Sequence, residues 1–412
     1  MNRKYITSLF DHAFFIGTPF LINIILIRYT SSEVFGTYTL FYSVYLAILG
    51  IYNAIALEAF TVFASGRLNS AIDSYYADFL KFQRKVFYLL VLLSFFIVFA
   101  YAFYANIFNQ IIYWLMFFIA LPIPLFWKYI RVMLYLKNLE IHTIITGLIF
   151  FLSNTIGIYV LHHFNMISAY AVFLIFLISF TIPVIYGHLM ISLNLDKTDD
   201  EISFDNSYWL KHFGYSKWIL ASAFLIPFTV SGYFWFLEYL SKTYIIAEVK
   251  AMWQIGGIFQ QVLVAVFVLL IKDISSLVSE GNFTKIYSHM ARMYVISLFA
   301  LSCFYLIIII NGKDFLLFIY GKNYSHLSYI FKYLFILSSL QLTSYFLNLL
   351  LKSLEMPWSM FYGYLFSAIS AISLGFYFTY HYETIGVFYG LILSEIIVLI
   401  VLSYFVRNTY KK

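Results

Sequence analysis

Val86-Phe-Tyr-Leu-Leu-Val-Leu-Leu-Ser-Phe-Phe-Ile-Val-Phe-Ala-Tyr-Ala-Phe-Tyr104 decides the class of fold. It contains no charge, no glycine and no proline. A helix that crosses a bilayer needs about 20 mostly apolar residues, and this run is of that length. Its apolar positions are continuous rather than alternating, which excludes a strand of an outer-membrane barrel. Lys81, Arg84 and Lys85 stand just before it, as basic residues do at the cytoplasmic end of a span.

The rest of the chain has the same character. Of its 412 residues, 63% are hydrophobic and 11% charged. Soluble domains carry about 25% charge, so a water-covered surface cannot be assembled from this composition. Aromatics make up 22%, with 47 Phe and 38 Tyr. Disorder, a nucleic-acid surface and a secreted disulfide scaffold are excluded. The net charge of +6 comes from basic residues spread among short loops. The single Cys303 permits no internal disulfide and no metal cluster. The N-terminal apolar stretch has no A-x-A-like site, so no cleaved signal peptide is expected.

Twelve spans are predicted, near 8–28, 38–60, 85–106, 110–134, 141–162, 167–192, 212–236, 245–271, 290–311, 328–351, 358–380 and 384–406. With the N-terminus placed in the cytoplasm, 19 of the 25 Lys and Arg fall inside and 6 outside. The positive-inside rule therefore predicts a multi-pass protein of the cell inner membrane with both termini cytoplasmic. The longest polar stretch, Asn194–Lys217, divides the chain. The expected organisation is all-α and polytopic, with about 12 transmembrane helices in two six-helix lobes. These are an N-terminal lobe over 1–195, a cytoplasmic linker over 196–211 and a C-terminal lobe over 212–412. Two six-span halves suggest a parallel duplication. Lys272–Met290 reads as amphipathic and is expected to lie in the interface.

No soluble domain, P-loop, G-x-G-x-x-G or H-E-x-x-H is present, so neither an enzyme nor a self-contained ATP pump is expected, and no cofactor is implied. Asp199-Asp200 reads as a solvated loop pair and His162-His163 as an interfacial pair, so no metal site is expected. A membrane-embedded polymerase or glycosyltransferase would need a large external loop, and every external loop here is short.

Polar residues inside spans are costly and usually functional. Lys250, Gln254, Gly257, Gln261 and Lys272 fall within roughly 40–60° of one line on span 8, since a helix turns about 100° per residue. The line either faces a cavity or ends in two snorkelling lysines. Lys128 and Arg131 share a face of span 4 after the Pro122-x-Pro124 break. They anchor its cytoplasmic end or contact phosphate. Arg28 ends span 1 as an interfacial anchor or a cavity cation. Asp11, Glu58 and Glu395 are the candidate coupling carboxylates. Asp11 lies one turn into span 1, Glu58 near the inner end of span 2, and Glu395 in the middle of span 12.

Four motifs resemble a known family, the bacterial polysaccharide transporters of Wzx type. Leu26-Ile-Arg28-Tyr-Thr-Ser-Ser-Glu33-Val-Phe-Gly36-Thr-Tyr38 is similar to the family's segment joining helices 1 and 2. Gly312-Lys-Asp-Phe-Leu-Leu-Phe-Ile-Tyr320-Gly321-Lys-Asn-Tyr324 is similar to its segment between helices 9 and 10. Leu354-Glu-Met-Pro357 and Ile385-Gly-Val-Phe-Tyr-Gly390 match the starts of helices 11 and 12. The order and spacing agree along the whole chain. The chain departs from the family at Lys272-Asp-Ile-Ser275, where a Pro-x-x-Ser often stands, and at Glu238, which lies late for the acidic residue near the end of helix 7.

The resemblance implies a MATE-like fold and a flippase for undecaprenyl-pyrophosphate-linked oligosaccharide, an O-antigen or capsule repeat unit. It implies alternating access and the polymerase and chain-length proteins of the same pathway as partners. Arg28, Lys250, Gln254, Gln261, Lys128 and Arg131 would then serve the substrate, the cations holding its pyrophosphate. The alternative in the same superfamily is an ion-coupled exporter of small drugs, for which an acidic cavity would be expected.

Overall fold

A computed structural model describes residues 3–57, 60, 79–88, 92, 96, 111–194, 206–257, 283–353, 356 and 358–409. Among them every regular element is helical. Helix α1 spans Arg3–Tyr29, and α2 spans Ser32–Tyr52 and ends in a π-turn, Asn53–Leu57. Then come α3 (Ile111–Ala120), α4 (Pro122–Leu136), α5 (Glu140–His163), α6 (Ala169–Ile178) and α7 (Thr181–Leu193). After them follow α8 (Asn206–Thr229), α9 (Gly232–Tyr239) and α10, residues 243–257. The chain closes with α11 (Phe283–Ile310), α12 (Gly312–Tyr320), α13 (Phe331–Ser353), α14 (Trp358–Ser370) and α15 (Phe376–Thr409). Seven helical stretches among the described residues are long and apolar enough to cross a membrane, or eight if the bent pair α8–α9 is one span.

The apolar spans map onto these helices with local breaks that proline explains. Pro122 opens α4, where its missing N–H costs nothing, so the 110–134 span is α3 and α4 joined at Leu121. Pro183 does the same in the first turn of α7, which separates α6 from α7 within the 167–192 span. Pro227 removes a hydrogen bond in the last turn of α8, and the chain bends by 43° into α9. Glu383 interrupts α15 with φ 51 and ψ −126, which divides it between the 358–380 and 384–406 spans.

Of the Lys272–Met290 segment, residues 283–290 form the first two turns of α11, which begins at Phe283 and runs unbroken to Ile310. Its amphipathy comes from Ile286 and Met290 facing the protein interior while Lys285 and Tyr287 face outward. Residues 272–282 lie outside the described residues, as do 196–205 of the expected linker.

The outward faces are apolar. On α11, Val295, Phe299, Leu306 and Ile310 are exposed, Phe299 by 71% and Ile310 by 70%. On α5, Ile141, Leu148, Leu152, Ile156 and Tyr159 make a similar stripe. Water would not tolerate such continuous stripes, and hydrocarbon does.

The described residues form two compact units. The first comprises 1–19 and 48–217. Its core is aromatic: Phe150 stacks on Phe180 at 4.0 Å, and Trp127 lies 5.0 Å from Phe180 and 5.7 Å from Phe150. The second comprises 20–47 and 218–412, so the far half of α1 and most of α2 pack with the C-terminal helices. Its core includes Leu351, Val398 and Leu402, bracketed by Tyr364 and Phe405. Tyr233 of α9 fits where Gly375 and Gly390 carry no side chain; a Cβ at either position would collide with its ring or hydroxyl.

Candidate functional site

Helix α10 has two faces. Ala251, Met252, Ile255 and Gly256 belong to the buried face; Tyr320 of α12 donates to the Ala251 carbonyl at 3.0 Å, and Gly256 meets Leu334 of α13 and Tyr305 of α11. The described part of the predicted polar line, Lys250 and Gln254, turns toward residues 20–47 of the same unit. Lys250 is 9% exposed, and its Nζ sits 4.8 Å from the centre of the Tyr42 ring. A ring face partly offsets the burial of a cation, by about 1–2 kcal/mol. No ion pair or hydrogen bond is made by Lys250 among the described residues. One turn on, Gln254 donates through Nε2 to the Phe20 carbonyl at 2.9 Å. That bond fixes the amide, and leaves its Oε1 buried without a hydrogen-bond partner among the described residues. Asn23, on the same face of α1 as Phe20 and 4% exposed, also has a buried oxygen without a partner among the described residues. A side chain at Gly257 would meet nothing within 4 Å among the described residues.

Neighbouring contacts hold this cluster in place. Trp235 of α9 donates to the Ser43 hydroxyl at 3.0 Å. Gly36 lies so close to the Thr243 carbonyl that a Cβ would overlap it. Tyr38 stacks on Tyr42 with 6.1 Å between ring centres, and Tyr45 flanks Tyr42 at 5.8 Å. The result is a buried cation, an aromatic wall and two acceptor oxygens in want of donors. Such a site suits a ligand that presents negative charge and hydroxyl groups together.

The other candidates fall elsewhere. Arg28 is exposed at the end of α1, where Nε donates to the Ile319 carbonyl at 2.7 Å and an Nη to the Phe318 carbonyl. It caps the C-terminus of α12, where orphan carbonyls and the helix dipole both favour a cation. Lys128 and Arg131 belong to the first unit and flank the Phe15 ring, at 3.9 Å and 4.7 Å from its centre. Arg131 is 6% exposed and also lies 4.8 Å from the Trp127 ring. Neither is a free cation. Asp11 lies in α1. Glu58 and Gln261 lie outside the described residues. Glu395 lies in the second half of α15, beside Ser344, Tyr345 and Tyr364.

Sequence reasoning missed a polar junction in the second unit. Glu248 receives Thr384 at 2.5 Å on one oxygen and faces His326 at 3.4 Å with the other. Beside it, Lys242 pairs with Glu383 at 2.7 Å, and that carboxylate holds the Lys242 ammonium above its usual range. Helix α10, the 3₁₀ segment Lys322–Ile330 and the break in α15 are tied together there. The partners are 78 and 136 positions apart for Glu248, and 141 for Lys242, so no spacing rule reveals them.

With the geometry in hand, comparison with solved structures identifies the fold. The chain has the fold of the MATE transporters. An inward-facing multidrug resistance MATE family transporter of the MOP superfamily superposes with a TM-score of 0.73 at 11% identity, over 100% of this chain and 96% of that one. An outward-facing form gives 0.72 at 12% identity, over 98% and 95%. A MOP superfamily transporter from Pyrococcus furiosus, whose binding pocket is described as reversed in polarity, gives 0.70 at 11% identity, over 98% and 91%. No protein-family model matches the sequence, and no curated protein does.

Proposed function

We propose that the protein moves a lipid-linked, pyrophosphate-bearing oligosaccharide from the cytoplasmic to the outer face of an inner membrane. The substrate is an undecaprenyl-pyrophosphate-linked repeat unit of O-antigen or capsule type. The observation that carries this reading is Lys250, a buried lysine with an aromatic neighbour and no ion pair among the described residues. A pyrophosphate cannot leave water without a cation, because the desolvation cost of its charges is several kcal/mol each. Sugar hydroxyls would supply the donors that Gln254 Oε1 and Asn23 Oδ1 lack. The four motifs resembling polysaccharide transporters point to the same substrate class.

Alternating access is the mechanism this fold supports best, since MATE transporters of the same fold are known inward-facing and outward-facing. On this reading the chain works as two six-span halves, 1–195 and 212–412. Both termini are cytoplasmic, in keeping with the 19-to-6 distribution of basic residues. No bond of the substrate is made or broken, so no nucleophile is needed. Arg28 would serve the fold as a helix cap rather than the ligand, while Lys128 and Arg131 would serve the first unit through the Phe15 ring that they flank.

A second reading is export of small drugs, favoured by the multidrug transporters of the same fold. A lysine at the centre of the site speaks against cationic drugs, and the reversed polarity described for the Pyrococcus furiosus protein is a precedent for such a change within the superfamily. Deleting the gene in its host separates the two. Loss of surface polysaccharide with lipid-linked repeat units trapped on the cytoplasmic face supports the first reading. Intact polysaccharide with raised drug sensitivity overturns it.

A further inference from the structure

The end of the second unit where α15 breaks carries a group of tyrosines that the lysine site does not use. Tyr329, near the end of the 3₁₀ segment, lies beside Glu248 and Tyr333. The Tyr333 hydroxyl, at the start of α13, is 3.4 Å from that of Tyr389. Tyr389 meets Tyr333 and Tyr382 edge to face, at 5.4 Å and 6.1 Å between ring centres. On the other side of Glu383 along the chain, Tyr380 stands near Lys242. Tyr380 and Tyr382 are 58% and 56% exposed, so most of each ring is open to a ligand.

An interfacial belt also places tyrosines at helix ends, but it offers rings to lipid. Here charges stand among the rings. The Lys242–Glu383 pair and the Glu248–His326 contact lie beside them, and Lys332 Nζ is 5.0 Å from the centre of the Tyr333 ring. Ionisable side chains gathered in this way require water, so the rings between them are wet as well. An anion would be repelled by Glu248 and Glu383 as much as drawn to Lys242 and Lys332, which favours a neutral ligand. A wholly apolar ligand would leave polar groups unpaired: Lys242 takes one oxygen of Glu383, and the other accepts no hydrogen bond among the described residues. Glu383 is also held in a backbone conformation that glycine adopts more readily, and such strain gathers at ligand sites. A sugar meets these demands. Its ring faces carry C–H bonds that suit exposed tyrosine rings, and its rim carries hydroxyls that suit a carboxylate oxygen and phenol groups.

We propose that this surface binds an uncharged oligosaccharide, with Tyr380 and Tyr382 stacking on sugar rings and Glu383 accepting from sugar hydroxyls between them. On the expected topology it lies at the external end of the unit. It is distinct from the lysine site, and a glycan bound here needs no pyrophosphate. That the glycan is the transported one rests on the flippase reading; the binding does not.

The test uses full-length protein in phosphatidylcholine nanodiscs and an array of neutral and acidic oligosaccharides that carry neither lipid nor phosphate. Neutral glycans should retain the protein above the level of empty nanodiscs. For the strongest of them, the double variant Tyr380→Ala, Tyr382→Ala, with an unchanged Tm, should bind roughly tenfold more weakly or worse. Tyr382→Trp keeps a stacking ring and should bind at least as well as the wild type. Tyr404→Ala removes an exposed tyrosine near the other end of α15 and should change nothing. Inorganic pyrophosphate should not compete. Retention of no neutral glycan, retention of acidic glycans alone, full binding by the double variant, loss of binding in Tyr382→Trp, or an equal loss in Tyr404→Ala would overturn the proposal. Competition by pyrophosphate would overturn it too, because the glycan would then occupy the lysine site. A negative result here leaves the lysine reading standing, since that reading is tested by transport of a pyrophosphate-linked glycan.

Discussion

Lys250 shows how far residue-level reasoning reaches. Its alignment with Gln254 and Gly257 was legible from the helical angle alone. The approach of Tyr42 to Lys250 and of Phe20 to Gln254 was not, because those residues come from more than 200 positions earlier, and no local pattern records a tertiary approach. Losing one charge-assisted contact costs about 1.5–3 kcal/mol, so Lys250→Ala should lower transport about 10- to 100-fold at normal protein level. Lys250→Arg should keep part of the activity, since charge survives while geometry changes. Lys242→Ala is the contrast. Its ion pair with Glu383 is exposed and worth about 0–1 kcal/mol, so transport should be unchanged. The pairing raises the Lys242 ammonium, so its small stabilisation holds at neutral pH and disappears as pH climbs through that raised value.

At the scale of elements, two backbone positions can be tested. Glu383 holds φ 51 and ψ −126, a region open to glycine and strained for other residues by about 1–3 kcal/mol. Glu383→Gly and Glu383→Ala both lose the Lys242 pair, so their difference isolates the strain. The glycine variant should have the higher Tm, despite the extra chain entropy that glycine loses on folding. Gly36 is the second position, because the Thr243 carbonyl occupies the space of its Cβ. Gly36→Val should push α2 off the start of α10. Ser43→Cys in a Cys303→Ser background should then react with a water-soluble maleimide far faster than it does without the valine. Most spans were readable because a bilayer imposes a length and a polarity on each. Arg28 was readable as a helix end, but the carbonyls it caps belong to α12, 290 and 291 positions away.

For the whole molecule, the distribution of Lys and Arg predicts that reporter fusions after Lys197 and Lys285 lie in the cytoplasm and fusions after Asn109 and Lys322 outside. An outside signal at Lys197 would break the two-half organisation. The class of fold was legible from composition and span length. The grouping of 20–47 with the C-terminal helices was not, since it follows from contacts such as Trp235 to Ser43 that bridge distant parts of the chain. The central claim is that Lys250 receives the pyrophosphate of a lipid-linked sugar. Purified protein in vesicles, given a fluorescent polyprenyl-pyrophosphate glycan in one leaflet and an imposed ion gradient, tests it directly. The wild type should carry the glycan to the opposite leaflet, and Lys250→Glu should fall to the rate of protein-free vesicles. Wild-type rates from Lys250→Glu, in correctly folded protein, would contradict it.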